Sequence, residues 1–312
     1  MEFPPIVPRM KNRFHNPEIS METMQATIRK EISLEGIGLH TGSPSMLTFR
    51  PAPANTGIRF FRSDLPGHPM VPARLDFVVT TVRGTNLGLG EAKIHTVEHV
   101  LSACTGAGID NIDVWVSAPE PPIMDGSALP FVKAILTAGI ERYSDAPKRW
   151  LHLPGEVSYQ DGKAKYRAIP SDNFEIKATL IHEHPLMPEM ALSLTIDREL
   201  YMREIAPART FCFEHEVEFL KSQGLAQGGS LDNAIVIGKD RYHTNEGGLR
   251  FKDEFVRHKM LDLIGDLTLI GRPLFKMRVE AEYLGHAHNV AFAKLLREAA
   301  VKMRGKKSLE AH

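Results

Sequence analysis

HTVEHVLSACTGAGIDNIDVWV, residues 95–116, is the stretch from which the fold can be read outward. Helical spacing places Ile94, Val97, Leu101 and Cys104 on one face and His95, Glu98, His99 and Ser102 on another. A helix over about 93–105 is therefore expected, with the polar stripe on a face that the core does not need. After the glycine-containing break TGAG, a strand is expected over 109–116, and then a helix over 129–138 opened by DGSALPF, 125–131. The second half echoes this run. His99 to Gly126 and His258 to Gly285 are both intervals of 27 residues, and each glycine stands just before an amphipathic helix. The echo suggests a duplicated unit in which each half offers one histidine to a shared cleft.

Before this stretch, from 27 to about 61, polar and apolar residues alternate between the turn signals GIGLHTG, 36–42, and RPAPANTG, 50–57. The segment YSDAPKRWLHLPGE, 143–156, carries two prolines and is taken as the boundary between the halves. Beyond it, strands are expected over 151–159, 164–169, 175–182 and 191–196. A helix over 255–270, a strand over 275–281 and a helix over 287–301 complete the pattern.

A chain of 312 residues with 43% hydrophobic and 24% charged residues has an ordinary globular composition and enough apolar surface for a real core. The formal net charge is zero, without the basic excess of a nucleic-acid binder, so no nucleic-acid partner is expected. Cys104 and Cys212 form no CxxC pair, which argues against a thiolate zinc site or a disulfide scaffold and fits a reducing cytoplasm. No apolar run is long enough for a transmembrane segment, and the proline-rich start, 1–24, reads as a disordered leader rather than a signal peptide.

Two motifs carry metal chemistry. H-x-x-E-H at 95–99 matches the inverted zinc-protease pattern, in which both histidines bind zinc. The same residues also suit a solvated helix face. If His99 binds a metal, Glu98 can reach a water on that metal without ligating it. In DEFVRHKMLDLIGDL, 253–267, His258, Asp262 and Asp266 stand at i, i+4 and i+8 on one helix face. An i,i+4 His–Asp pair can chelate zinc or be a plain helix contact. Together, His99, His258 and Asp262 make three protein ligands with an open fourth position, the pattern of a catalytic rather than a structural zinc. Asp266 lies too far along the helix to ligate and is better placed to orient another group. His286, after Gly285 at a strand-to-helix turn, suits a general acid or an electrostatic stabiliser; His288 reads as helix surface.

The stretches SLEGIGLHTG, RPAPANTGI, HTVEHVLSA, GIDNIDVWV, PPIMDGSALPF, ARTFCF, GGSLDNAIVI, GLRFKDEFVRHKMLDLIGDL and GHAHN run in order over nearly the whole chain. Together they resemble the UDP-3-O-acyl-N-acetylglucosamine deacetylases of lipid A biosynthesis. The resemblance implies an α+β fold, a two-domain duplicated βααβ sandwich whose helix layers pack between two mainly antiparallel sheets, with a zinc cleft at the domain interface. Domains are then expected at 25–146 and 147–305, with a hydrophobic-passage insertion near 211–230 and a tail at 306–312.

The resemblance further implies a zinc-dependent N-deacetylase that hydrolyses the 2-acetamido group of UDP-3-O-acyl-N-acetylglucosamine, releasing acetate and UDP-3-O-acyl-glucosamine. Zinc falls on His99, His258 and Asp262, the general base on Glu98 and the second catalytic histidine on His286. Thr210 matches a threonine that hydrogen-bonds the reacting carbonyl, Asp266 the carboxylate that orients the catalytic histidine, and Lys259 a substrate-binding lysine. Phe211, Val217, Leu220, Gly229 and Ser230 fall in the acyl passage, although Phe211, Val217 and Leu220 would also suit a core-facing helix. A cytoplasmic monomer is implied, and Fe²⁺ suits a His₂Asp set as well as Zn²⁺. The chain departs from some members in having no cysteine in VRGTNLG, 82–88, and no aromatic in IHEHP, 181–185. His95 is not a family ligand. Two rivals remain: a zinc peptidase using His95 and His99, and a non-catalytic protein that binds acylated sugar nucleotides.

Overall fold

A computed structural model describes residues 23–309 except 246 and 275. The fold is α+β, built on two five-stranded sheets of the same topology. In the first, β1 (Ile32–Ile37), β2 (Pro44–Pro51), β3 (Ile58–Arg62), β4 (Met70–Pro72) and β5 (Ile112–Val116) lie in the order β1-β2-β5-β3-β4. In the second, β6 (Val157–Asp161), β7 (Ala164–Pro170), β8 (Phe174–Leu180), β9 (Met190–Thr195) and β10 (Met277–Glu282) lie in the order β6-β7-β10-β8-β9. In each sheet the last strand enters at the centre, antiparallel to one neighbour and parallel to the other: Phe60 pairs with Val114 in the first, Ile176 with Val279 in the second. The duplication suggested by the two 27-residue intervals thus appears as repeated topology.

Alternation explains the layering. Leu47, Phe49, Phe60 and Val114 point inward from the first sheet, and Tyr166, Ala168, Ile176 and Val279 from the second. Between the sheets lie helices α1 (Glu98–Ala107) and α2 (Leu129–Ala138) from the first half, and α4 (Glu254–Thr268) and α5 (His286–Leu309) from the second. Phe131 of α2 meets Phe49 edge-on, with ring centroids 6.5 Å apart. Helices α1 and α4 pack across the middle. A Cβ on Gly265 would stand 2.1 Å from the carbonyl oxygen of Glu98, so only glycine permits this approach.

Several expected elements differ. The helix expected from 93 starts at Glu98, because Ala92–Ile94 forms a strand paired with Asn86–Leu89 and Thr96 adopts φ 53° between strand and helix. The polar stripe of that helix is also not a solvated face. Glu98, His99 and Ser102 are buried, because α1 is covered by α4 as well as by its own half. The strand expected over 151–159 begins only at Val157, while Leu151 and Leu153 are buried outside any strand. Ile140–Pro147, overlapping the two-proline segment, is itself a strand and pairs antiparallel with Met24–Ile28.

Of the expected leader, residues 1–22 lie outside the described residues, and Met24 already belongs to a strand. Helix α5 continues to Leu309 over the first part of the expected tail; 310–312 lie outside the described residues. Phe275, where a strand was expected to start, also lies outside them; β10 begins at Met277. Within 211–230, a short strand Phe211–Phe213 leads into α3 (Glu214–Ser222) and pairs parallel with Ile235–Ile237.

Candidate metal centre and adjoining cavity

Helix α4 presents His258 and Asp262 one turn apart, both 2% exposed, and α1 presents His99 opposite them. One ligand atom from each of His99, His258 and Asp262 lies within 4.8 Å of the others, the one such group among the described residues. The hydrogen bonds favour a cation between them. His258 donates from Nδ1 to the carbonyl oxygen of Ala208 at 3.1 Å, so in the neutral ring its Nε2 carries a lone pair. That Nε2 faces Asp262 Oδ1 at 3.4 Å, and His99 Nε2 faces the same oxygen at 3.8 Å. Asp262 Oδ1 has no hydrogen-bond partner among the described residues. A buried carboxylate oxygen facing two imidazole nitrogens is poorly satisfied as it stands, and is well satisfied by a metal with bonds of ~2.0–2.2 Å.

Electrostatics agree with this. Burial, reinforced by His258, pushes the His99 imidazole down to about 3, a neutral ring suited to ligation. Burial likewise lowers His258. Burial alone would raise the Asp262 carboxyl, but His258 and Lys259 outweigh it and hold the group ionised. Lys259 Nζ donates to Asp262 Oδ2 at 2.8 Å and lies 5.4 Å from the Phe211 ring centroid.

Beside the three ligand candidates, His286 caps the start of α5 directly after β10. Its Nδ1 donates to Asp266 Oδ2 at 3.0 Å, while Nε2 lies 3.7 Å from Glu98 Oε1 and 3.9 Å from Asp262 Oδ2. Burial opposes the imidazolium, but Asp266 and Glu98 overcome it and bring the group up to about 9. Burial raises the Glu98 carboxyl to about 7, partly offset by His286. Unlike Asp262, Asp266 is saturated: besides His286, it accepts from the Thr85 hydroxyl and from Asn289 Nδ2 at 2.9 Å.

Thr210, Phe211, Val217, Leu220, Gly229 and Ser230 line one cavity of about 260 Å³, with Leu39, His40 and Arg83 from the first half. Phe211 joins this cavity to the metal group, its ring centroid 6.0 Å from that of His258. His95 stands apart from the group; its Nδ1 bonds Asn86 Oδ1 at 3.0 Å. His288, read as helix surface, bonds the Tyr159 hydroxyl at 3.0 Å.

Sequence reasoning missed several supporting residues. Thr85 holds Glu98 Oε2 through its backbone N–H at 2.9 Å as well as bonding Asp266. Asn289 reaches Asp266 and is itself held by the Tyr166 hydroxyl at 2.7 Å. Arg209 and Glu254, both fully enclosed, pair at 2.9 Å and fix the chain just before Thr210 to the start of α4. The stretches VRGTNLG and GHAHN contained Thr85 and Asn289; no local pattern marked Arg209 with Glu254.

The chain matches the family model for UDP-3-O-acyl N-acetylglycosamine deacetylase over residues 25–298. It is 47% identical over 271 residues to a UDP-3-O-acyl-N-acetylglucosamine deacetylase of Anaeromyxobacter sp., covering 86% of this chain and 87% of that protein. A protein of the same name from Myxococcus xanthus is 46% identical over 265 residues, covering 85% and 83%. A bifunctional enzyme LpxC/FabZ from Chlorobaculum tepidum is 41% identical over 304 residues, covering 88% of this chain but 64% of that longer protein.

Proposed function

Because this chain belongs to the UDP-3-O-acyl-N-acetylglucosamine deacetylase family, we infer that it hydrolyses the 2-acetamido group of UDP-3-O-acyl-N-acetylglucosamine in lipid A biosynthesis. The products are acetate and UDP-3-O-acyl-glucosamine. The observation that carries the site assignment is the unpartnered Asp262 Oδ1 facing the Nε2 atoms of His99 and His258. These three residues would hold the metal, which we assign as Zn²⁺; Fe²⁺ also suits the donor set. When bound, such an ion supplies a Lewis acid for the acetamide carbonyl and the attacking water.

The chain's own groups handle the protons. Glu98, with Oε2 fixed by Thr85, takes a proton from the water as its oxygen bonds to the carbonyl carbon. With its carboxyl near 7, it can both accept and return a proton close to neutrality. His286, held charged by Asp266, donates from Nε2 toward the negative charge that develops on the carbonyl oxygen. The Thr210 hydroxyl is a second donor to that oxygen. The C–N bond then breaks as a proton from Glu98 or His286 reaches the sugar nitrogen. Lys259 contacts the substrate beside the metal, and the cavity lined by Phe211, Val217, Leu220, Gly229 and Ser230 takes the acyl chain.

Residues 25–146 and 147–305 are taken as the two domains, with the passage insertion near 211–230. Because both halves of one chain complete the site, a monomer suffices. No helix among the described residues is long and apolar enough to cross a membrane, and both cysteines are free; a cytoplasmic enzyme is consistent with both. Acetate release from UDP-3-O-acyl-N-acetylglucosamine, abolished by a chelator and restored by Zn²⁺, tests the reading. Release unaffected by chelation overturns the metal assignment.

A further inference from the structure

Glu120 is fully buried, and no step above uses it. Its partners are all N–H and O–H donors. The His40 N–H lies 3.1 and 3.0 Å from its two oxygens; Oε2 also accepts from the Thr41 N–H at 2.9 Å and the Thr41 hydroxyl at 3.0 Å, and Oε1 from the Thr96 hydroxyl at 2.8 Å. The turn around it closes on itself through Gly42 N–H to Gly38 O at 3.0 Å. A Cβ on Gly38 would stand 2.5 Å from Glu120 Oε2, so carboxylate and turn are fitted to one another.

This turn meets the second half of the chain. The His40 Nδ1 accepts from Ala226 N–H at 3.3 Å, which leaves Nε2–H to donate to the Arg83 carbonyl at 3.2 Å. The carbonyl oxygens of Leu39 and His40 accept from the N–H groups of Gly228 and Gln227 at 3.0 and 3.2 Å. A Cβ on Gly228 would stand 2.2 Å from Gly38 O, so the two loops meet backbone to backbone. Leu39, His40 and Arg83 form the first-half wall of the cavity whose other wall includes Phe211, Val217 and Leu220.

We propose that Glu120 is a positioning residue that sets acyl-chain selectivity, by holding the 38–42 turn as a fixed wall of the passage. The inference rests on the reading of that cavity as the acyl passage. A glutamine at 120 keeps the size but replaces one accepting oxygen with an NH₂ group, leaving part-buried donors of the turn without their acceptor. The wall then loosens, and contacts to the farther methylenes of a long chain are lost while the metal group is untouched.

The experiment compares kcat/KM for substrates with long and short 3-O-acyl chains. Glu120→Gln should lower the long-to-short ratio at least about tenfold, within the range that hydrophobic pockets supply per methylene, with metal content and short-chain kcat held. Thr41→Val, which removes one donor to the same carboxylate, should move the ratio the same way by less, and carries the test if Glu120→Gln does not fold. Leu220→Trp, which fills the cavity from the other wall, checks the passage itself: an unmoved ratio there overturns the passage reading. If Leu220→Trp shifts the ratio but neither Glu120→Gln nor Thr41→Val does, the role of Glu120 is overturned. Equal losses on both chain lengths in Glu120→Gln overturn it as well.

Discussion

His286 Nδ1 lies 3.0 Å from Asp266 Oδ2, joining the start of α5 to the last turn of α4, and Asn289 donates to the same oxygen at 2.9 Å. This contact fixes which nitrogen of His286 faces the reaction: Nδ1 is committed to Asp266, so Nε2 points toward Glu98 and the metal group. Asp266→Asn keeps the shape but removes the charge that holds the imidazolium. The expected outcome is a kcat lowered about 10–100-fold, in the range for losing a group that orients a site residue, with metal content unchanged. Steady-state kinetics with metal analysis on the same sample check it, and an unchanged kcat contradicts it.

Glu98 separates base chemistry from metal binding. Glu98→Gln retains the length of the side chain and the acceptor for Thr85 N–H. It should keep the metal and lose at least ~10²-fold in kcat, as a missing acid–base group does. Near wild-type turnover would remove Glu98 from the mechanism.

His95 discriminates a protease-like metal pair within HTVEH from a set made by His99, His258 and Asp262. Its ring bonds Asn86, outside the group formed by His99, His258 and Asp262. His95→Ala should therefore retain the full metal complement measured by atomic emission. Loss of metal in that variant alone would restore His95 as a ligand.

Gly265→Ala tests the crossing that brings the halves together. The added Cβ would meet the Glu98 carbonyl oxygen at 2.1 Å, a backbone atom that cannot move without shifting the base beside it. Overpacking of this kind costs about 1–3 kcal/mol, and activity should fall further than stability because Glu98 is displaced. Gly155→Ala, with no atom within 4 Å of the new Cβ, is the control and should be silent in both thermal melting and kinetics.

The acid side of the stability profile follows from Glu204. Its hydrogen bonds with Arg203 and Arg257 hold the carboxyl below its usual value. A depressed carboxyl contributes stability above its unfolded value and loses that contribution as pH falls through the folded one. Glu204→Gln should thus lower the melting temperature at neutral pH, with an effect of about 1 kcal/mol or less for so exposed a group. It should change the melting temperature little at strongly acidic pH, where the wild-type carboxyl is itself protonated. An equal drop at both pH values would contradict the assignment.

The sequence made the second motif readable because His258, Asp262 and Asp266 share one helix, where spacing alone aligns them. His99 was legible as a partner through the 27-residue interval, which the paired sheet topologies now explain. The start of α1 was not legible. Ile94 and Val97 continue its apolar period, but Ile94 is claimed by pairing with Leu87, and pairing between strands overrides a local period. Burial of Glu98 and His99 could not be read either, since the helix that covers them lies more than a hundred residues away in the chain. The Arg209–Glu254 pair is similarly non-local: two ordinary charged residues become a buried clamp only after the chain just before Thr210 packs onto the start of α4.

The metal content of purified wild-type protein, measured beside Asp262→Ala and His258→Ala together with acetate release, tests whether His99, His258 and Asp262 hold a catalytic metal. One divalent ion per wild-type chain is expected, zinc or an exchangeable equivalent, with loss of both metal and acetate release in each variant. Full metal occupancy in both variants, or undiminished acetate release from them, would contradict it.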